Sequence, residues 1–313
     1  MARDLARHLH QSWRDRFGVD DQHALRATHV LVLVLTLIGP CSQGHQIGED
    51  THTRSRRVFG DDHPDTLTAA HVLANCLHAM GELVQAWQLN EDTLARLKRV
   101  FGDDQIVPQM AAHNINLGRN LRALGKVQEA RRLHEDAVTD TRRRLGDDHP
   151  ITINAANELG VSLHVAGDVE AARHLHDATI VRARRILGED HAYTLDTAEH
   201  LVRDLYVLGE IATARQLAED TFARALRVLG VESYHAIVGA NNLAAVLNTT
   251  GDFEAARQLG KENLARSRRA FGDNHPHTRQ AAEILASAQA GVEKCKDRNR
   301  SSGPARRSKV ASE

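Results

Sequence analysis

Leucine recurs along this chain in two registers four residues apart. Leu31, Leu73, Leu117, Leu159, Leu201 and Leu243 form one series, and Leu35, Leu77, Leu121, Leu163, Leu205 and Leu247 the other. The two series stand eight and four residues before a glycine: Gly39, Gly81, Gly125, Gly167, Gly209 and Gly251. Positions four apart share a helix face, so each pair predicts a helix with one apolar stripe. Burial of each leucine contributes roughly 1.5–3 kcal/mol. Beyond the glycine an alanine follows at five residues and a leucine at eight, as in Ala86 and Leu89, Ala130 and Leu133, and Ala172 and Leu175. A small residue in fixed register suits a close helix crossing, so this stretch is the second helix of a hairpin.

A further glycine series, Gly18, Gly60, Gly102, Gly146, Gly188, Gly230 and Gly272, separates the hairpins. Neighbouring glycines of the combined ladder are 21 residues apart, except Gly102 and Gly125, which are 23 apart. A 42-residue period with a turn at its midpoint is the signature of a helical-hairpin array. The predicted fold is all-α: an α-solenoid of about 14 antiparallel helices. It comprises a half-repeat over residues 1–17, six repeats over 18–271 and a closing helix over 272–291, whose helical core is 277–291. Leu5, Leu9, Trp13 and Phe17 mark the apolar face of the first helix. Residues 292–313 carry no repeat residues and read as a disordered basic tail.

The inter-repeat turn is Gly-Asp-Asp-His-Pro at residues 60–64 and 146–150, and Gly-Asp-Asn-His-Pro at 272–276. Glycine ends one helix, proline fits the first turn of the next, and the aspartates are expected to accept its free N–H groups. Proline follows its glycine by four residues in these turns but by six at Pro108. The two extra residues therefore lie near Gln105–Val107, in a loop that tolerates them cheaply. In the first repeat Gly44 and Gly48 fall inside the second helix, at ~1 kcal/mol each relative to alanine. Gly44 replaces the packing alanine. Close contact and fraying both account for it, and fraying is the expectation.

Composition changes little in this picture. Apolar residues make up 42% and aromatics 4% of 313 residues, so the core is aliphatic. The net charge of −1 gives no strong pull towards nucleic acid. Three separated cysteines (Cys41, Cys76 and Cys295) imply neither a disulfide framework nor a Cys-x-x-Cys metal site, and a cytoplasmic setting follows by default. The apolar run Val30–Ile38 is too short to cross a bilayer, which needs ~20 residues.

The pattern Leu73-Ala74, Leu77, Gly81 and Ala86 resembles the tetratricopeptide repeat. The 42-residue period, Gly-Asp-Asp-His-Pro-x-Thr and Asn241-Asn242-Leu243-Ala244 resemble the repeats of kinesin light chains. They resemble also the repeat tails of actinobacterial NB-ARC-type signalling ATPases. The resemblance covers residues 1–291. It implies a right-handed superhelix whose first helices line a concave groove. It does not extend to an ATPase, because no Gly-x4-Gly-Lys-Ser/Thr loop is present.

Catalysis and metal binding find no motif. Twenty histidines occur, yet no two are three or four residues apart, as a zinc pair on one helix requires. Gly-x-Ser-x-Gly and Gly-x-Gly-x-x-Gly are both lacking. The expectation is a non-enzyme without cofactor or metal. By register with tetratricopeptide repeats, the concave residues are His71, Asn75, His78, Arg119, Arg122, Asn157, His164, Arg203, Tyr206, Asn241 and Asn248. Ile115, Val161, Glu199 and Ala245 share that register. Asn can donate to and accept from a peptide backbone, and Arg can clamp a carboxylate. Arg119, Arg122, Arg203, His78 and His164 would make the middle of the groove positive. The expected function is a non-catalytic scaffold for a protein or peptide segment, an acidic one if these arginines carry the contact. The alternative is a sensory or regulatory module of a signalling ATPase.

Overall fold

A computed structural model describes residues 2–38, 41–102 and 108–301. Fourteen helices follow one another: α1 Ala2–Phe17, α2 Gln22–Ile38, α3 Cys41–Phe59, α4 Pro64–Met80, α5 Leu83–Phe101, α6 Pro108–Ala123, α7 Val127–Leu145, α8 Pro150–Val165, α9 Val169–Leu187, α10 Ala192–Val207, α11 Ile211–Leu229, α12 Tyr234–Thr249, α13 Phe253–Phe271 and α14 Pro276–Ser301. Each packs on the next in sequence. The even-numbered helices also touch one another in succession, from α2 and α4 to α12 and α14. Among the described residues the odd-numbered helices make no comparable contact. An array with one layer abutting and the other splayed must curve towards the abutting layer. The even-numbered helices are thus the inner wall of a superhelix. The His275 ring, just before α14, lies against the backbone of Ala79 at the end of α4.

Every described glycine of the ladder has a positive φ, between 79° and 92°. Gly81 ends α4 in the left-handed helical region, with ψ 6°, and its N–H bonds back to the His78 carbonyl. The inter-repeat glycines differ. Gly102, Gly146, Gly188, Gly230 and Gly272 combine this φ with ψ of 157–171°. That region is essentially closed to any residue with a Cβ.

The rest of the turn corrects one expectation. Asp21 caps α2 as expected, through the N–H groups of His23 and Ala24, but in the Asp-Asp-His and Glu-Asp-His turns the cap is the histidine. His63, His149 and His191 sit in extended backbone, and each Nδ1 accepts the N–H two residues on, at 3.1–3.2 Å. Ser233 takes this place before α12. The acidic residues are turned outwards onto arginines instead. The first closes on the helix just ended: Asp61 with Arg56, Asp147 with Arg142, Asp273 with Arg268. The second reaches the next repeat: Asp20 holds Arg54 and Arg57, Asp62 holds Arg96 and Arg99, Asp190 holds Arg224 and Arg227. The threonine of the motif returns a hydroxyl to the glycine carbonyl, as Thr66 does to Gly60 at 2.7 Å. The inserted residues near Gln105–Val107 lie outside the described residues.

Close crossings explain the glycines inside helices. A Cβ on Gly118 would stand 2.4 Å from the His134 ring, and one on Gly160 would stand 2.3 Å from His176. Both imidazoles are fully buried. Gly48 faces Val32 and Leu73, and Gly44 faces Leu35 and Cys76, each at ordinary or slightly tight contact. The expectation of a frayed second helix in the first repeat is therefore wrong: α3 is continuous, and its glycines admit larger neighbours.

The closing helix does not stop at residue 291. Gly291 has no left-handed φ and is buried under Phe253, so it continues α14 rather than capping it. Good helix formers follow, with Lys296 paired to Glu293 at 2.8 Å, and the helix runs to Ser301. Residues 302–313, the remainder of the expected tail, lie outside the described residues. No described helix is long and apolar enough to cross a membrane.

Candidate functional site

The even-numbered helices carry polar residues at many of the positions that the repeat register assigns to a concave face. Most of the residues expected on the concave face join one repeat to the next. Asn75 accepts a hydrogen bond from Asn116 at 2.7 Å, and His78 Nδ1 lies 2.6 Å from Asn120 Oδ1. His71 meets the ring of His113 edge-on. Asn241 donates to the His277 carbonyl and Asn248 to the Ile284 carbonyl, each at 3.1 Å. The Tyr206 hydroxyl is 2.9 Å from that of Thr249. Arg203 is half-buried.

The middle of the wall is not the positive surface expected from the register. Arg119 and Arg122, on α6, both converge on Glu158 of α8, at 3.3 and 2.7 Å. Arg122 also donates to the Glu158 carbonyl and to Ser162. The Glu158 side chain is only 5% exposed. Burial alone would raise its pKa; the two guanidinium groups outweigh that and hold the carboxyl well below its usual range. One helix further on, His164 and His176 both reach Asp204, each at 2.6 Å. Burial opposes ionisation of Asp204, but these two imidazole contacts bring its pKa below the ordinary value. Four acidic groups on α8 and α10 (Glu158, Asp196, Glu199 and Asp204) thus interleave with the basic ones.

Asp196 and Glu199 stand three residues apart on α10 and so share a face. His235, at the start of α12, closes on them, with Nδ1 3.1 Å from Glu199 Oε1. One ligand-type atom from each of the three lies within 4.8 Å of the others. Burial pushes Glu199 up to about 7, and it raises Asp196 as well. Burial lowers His235, but the adjoining carboxylates overcome it and lift the imidazole to about 9. Asn157 donates Nδ2 to Asp196 Oδ2 at 2.9 Å, while its own Oδ1, buried, has no hydrogen-bond partner. Sequence reading missed Glu158, Asp196 and His235. The one signal was the Asp-x-x-Glu spacing; His235 comes from another helix, and no spacing rule connects them.

Two cavities lie away from the inner wall. The larger, about 330 Å³, is lined by α1, α2 and α3, and includes His10, Leu25, Asp50 and Arg54. The smaller includes His52, Leu67, Asp92 and Arg96. His10 and His52 stand in the register that Leu94, Val138, Ile180 and Phe222 fill in later repeats.

The tetratricopeptide repeat profile matches residues 66–106, 109–176, 194–235 and 239–277, more than half of the chain. No curated protein matches it in sequence. Among solved structures it is similar to a putative kinesin light chain of nearly identical TPR-like repeats from Podosopora anserina. That likeness has 25% identity over 66% of this chain and 97% of the other, with a TM-score of 0.50. It shares its fold with a Rap protein complexed with competence and sporulation factor: 10% identity, 96% of this chain, 86% of the other, TM-score 0.66. The fold is likewise that of NprR in complex with its cognate peptide NprX: 12% identity, 96% and 83% coverage, TM-score 0.62.

Proposed function

As the chain belongs to the tetratricopeptide repeat family, we propose that it is a non-catalytic scaffold that binds a segment of a partner protein along its inner wall. The observation that supports this reading is a row of polar residues in one register of the even-numbered helices. It runs from His71 and Asn75 on α4 to Asn241 and Asn248 on α12, where an apolar core would use aliphatic residues. Rap and NprR, which share the fold, were each solved with a peptide or factor bound. Arg119, 37% exposed and only partly engaged by Glu158, and half-buried Arg203 keep donors for a carboxylate of the segment. Arg122 does not: it is 15% exposed and engaged with Glu158 and Ser162.

The test is a displayed peptide library selected on the full chain. The selected peptides should compete with one another and carry acidic residues. They should bind Arg119→Gln/Arg203→Gln about tenfold or more weakly, with affinity falling as salt rises. Peptides that bind this variant as tightly as the parent would place the binding surface elsewhere.

A further inference from the structure

We propose that Asp196, Glu199 and His235 form a binding site for one divalent transition-metal ion, of the Zn2+ type, on the inner wall. The inference is independent of peptide binding. Its ligands come from two helices in contact, α10 and α12, so the site exists only in the folded array. The donor set is two carboxylate oxygens and one imidazole nitrogen, a combination that suits Zn2+ and its neighbours better than Ca2+ or Mg2+, which favour oxygen alone.

Three observations point to a cation here. The donor atoms already lie within 4.8 Å of one another, so a contraction of about an ångström brings them to distances of ~2.0–2.2 Å from a common ion. Glu199 and His235 are almost fully buried, at 2% and 5% exposure, so ordinary solvation does not answer the charge.

The third observation is Asn157. It is 1% exposed, its amide is directed at Asp196, and its carbonyl oxygen has no partner. A buried acceptor without a donor is costly unless something electropositive reaches it. The Asp196 side chain is 21% exposed, so the ion would face the axis on that side and could keep a water there. The Asn157 contact to Asp196 is the kind of supporting hydrogen bond that orients metal-binding carboxylates.

The experiment uses the full chain, stripped with a chelator and titrated with ZnCl2 by calorimetry. The expected result is saturable one-to-one binding, with affinity lowered about tenfold or more in Glu199→Gln and in His235→Gln. Mg2+ in excess should not displace it. Co2+ bound to the unaltered chain should shift or broaden the His235 and Asp196 resonances ahead of those of the other histidines. This last measurement decides the matter if either variant fails to fold. Absence of saturable binding to the unaltered chain would overturn the site. So would unchanged affinity in both variants, or Co2+ effects confined to exposed histidines.

Discussion

Single residues in this chain are fixed by volumes they exclude. Gly118 is helical, and its want of a side chain makes room for the His134 ring, whose Nε2 reaches the Ile115 carbonyl at 3.1 Å and whose Nδ1 meets Ser162 at 2.8 Å. Gly118→Ala should therefore destabilise the protein by about 1–3 kcal/mol, the usual cost of overpacking. The second repeat carries Ala74 and Asn90 at the same two registers. Copying that pair, Gly118→Ala with His134→Asn, should recover part of the loss in a urea titration. If the double variant were no more stable than the single one, the ring would not be the obstacle. By contrast, Gly146 is held by its backbone, at φ 86° and ψ 164°, and nothing stands within 4 Å of an added Cβ. Gly146→Ala should cost about 1–3 kcal/mol through backbone strain alone, and no second substitution nearby should restore it.

At the scale of the helix, joints between neighbours matter more than propensity. Glu158 on α8 is the buried answer to two arginines of α6. Glu158→Gln leaves Arg122 without a counter-charge, and the loss should be about 3–5 kcal/mol. The same holds in reverse, so Arg122→Ala should weaken the fold as well as any binding, whereas Arg119, more exposed, should be the milder loss. The acidic pairs of the turns are another matter. Asp62 and Asp148 meet their arginines in solvent, at 45% and 53% exposure. Asp148→Ala should shift stability by less than about 1 kcal/mol, whereas His149→Ala, which removes a helix cap, should cost about 1 kcal/mol. Equal effects of the two would contradict the division of labour in the turn. Much of this was legible beforehand. Glycine, leucine and alanine registers gave the helices, their order and the inner layer, because each reports a local constraint on backbone or face. The cap was misassigned because histidine caps through a ring nitrogen that competes with aspartate on paper and wins only in geometry. The positive centre was misread because Glu158 lies next to Leu159, off the chosen register, and its reach to Arg119 and Arg122 crosses a repeat boundary.

For the whole molecule, the histidines set the acid limit. His29, His71, His78 and His134 are each lowered by burial to about 4, from an ordinary value near 6.5. The unfolded chain takes up protons at those four positions first, so their contribution is intact above pH ~6.5 and drains as pH falls towards ~4, opposed in part by Glu199, which the fold raises to about 7. Urea midpoints measured at pH 7.5, 6, 5 and 4.5 should fall steadily over that window; a flat profile would mean that these rings are charged in the fold. One last point concerns ancestry. Gly118 with His134, Gly160 with His176, and Val32 with Gly48 are all matched partners sixteen residues apart within one hairpin. A duplication or deletion of whole hairpins in the gene carries both partners together and leaves no steric mismatch. A crossover between the two helices of a hairpin parts them and can set an alanine or valine against a histidine ring. Lineages of this chain should therefore lengthen and shorten in units of 42 residues, with breakpoints in the Gly-Asp-Asp-His-Pro turns rather than at the middle glycines.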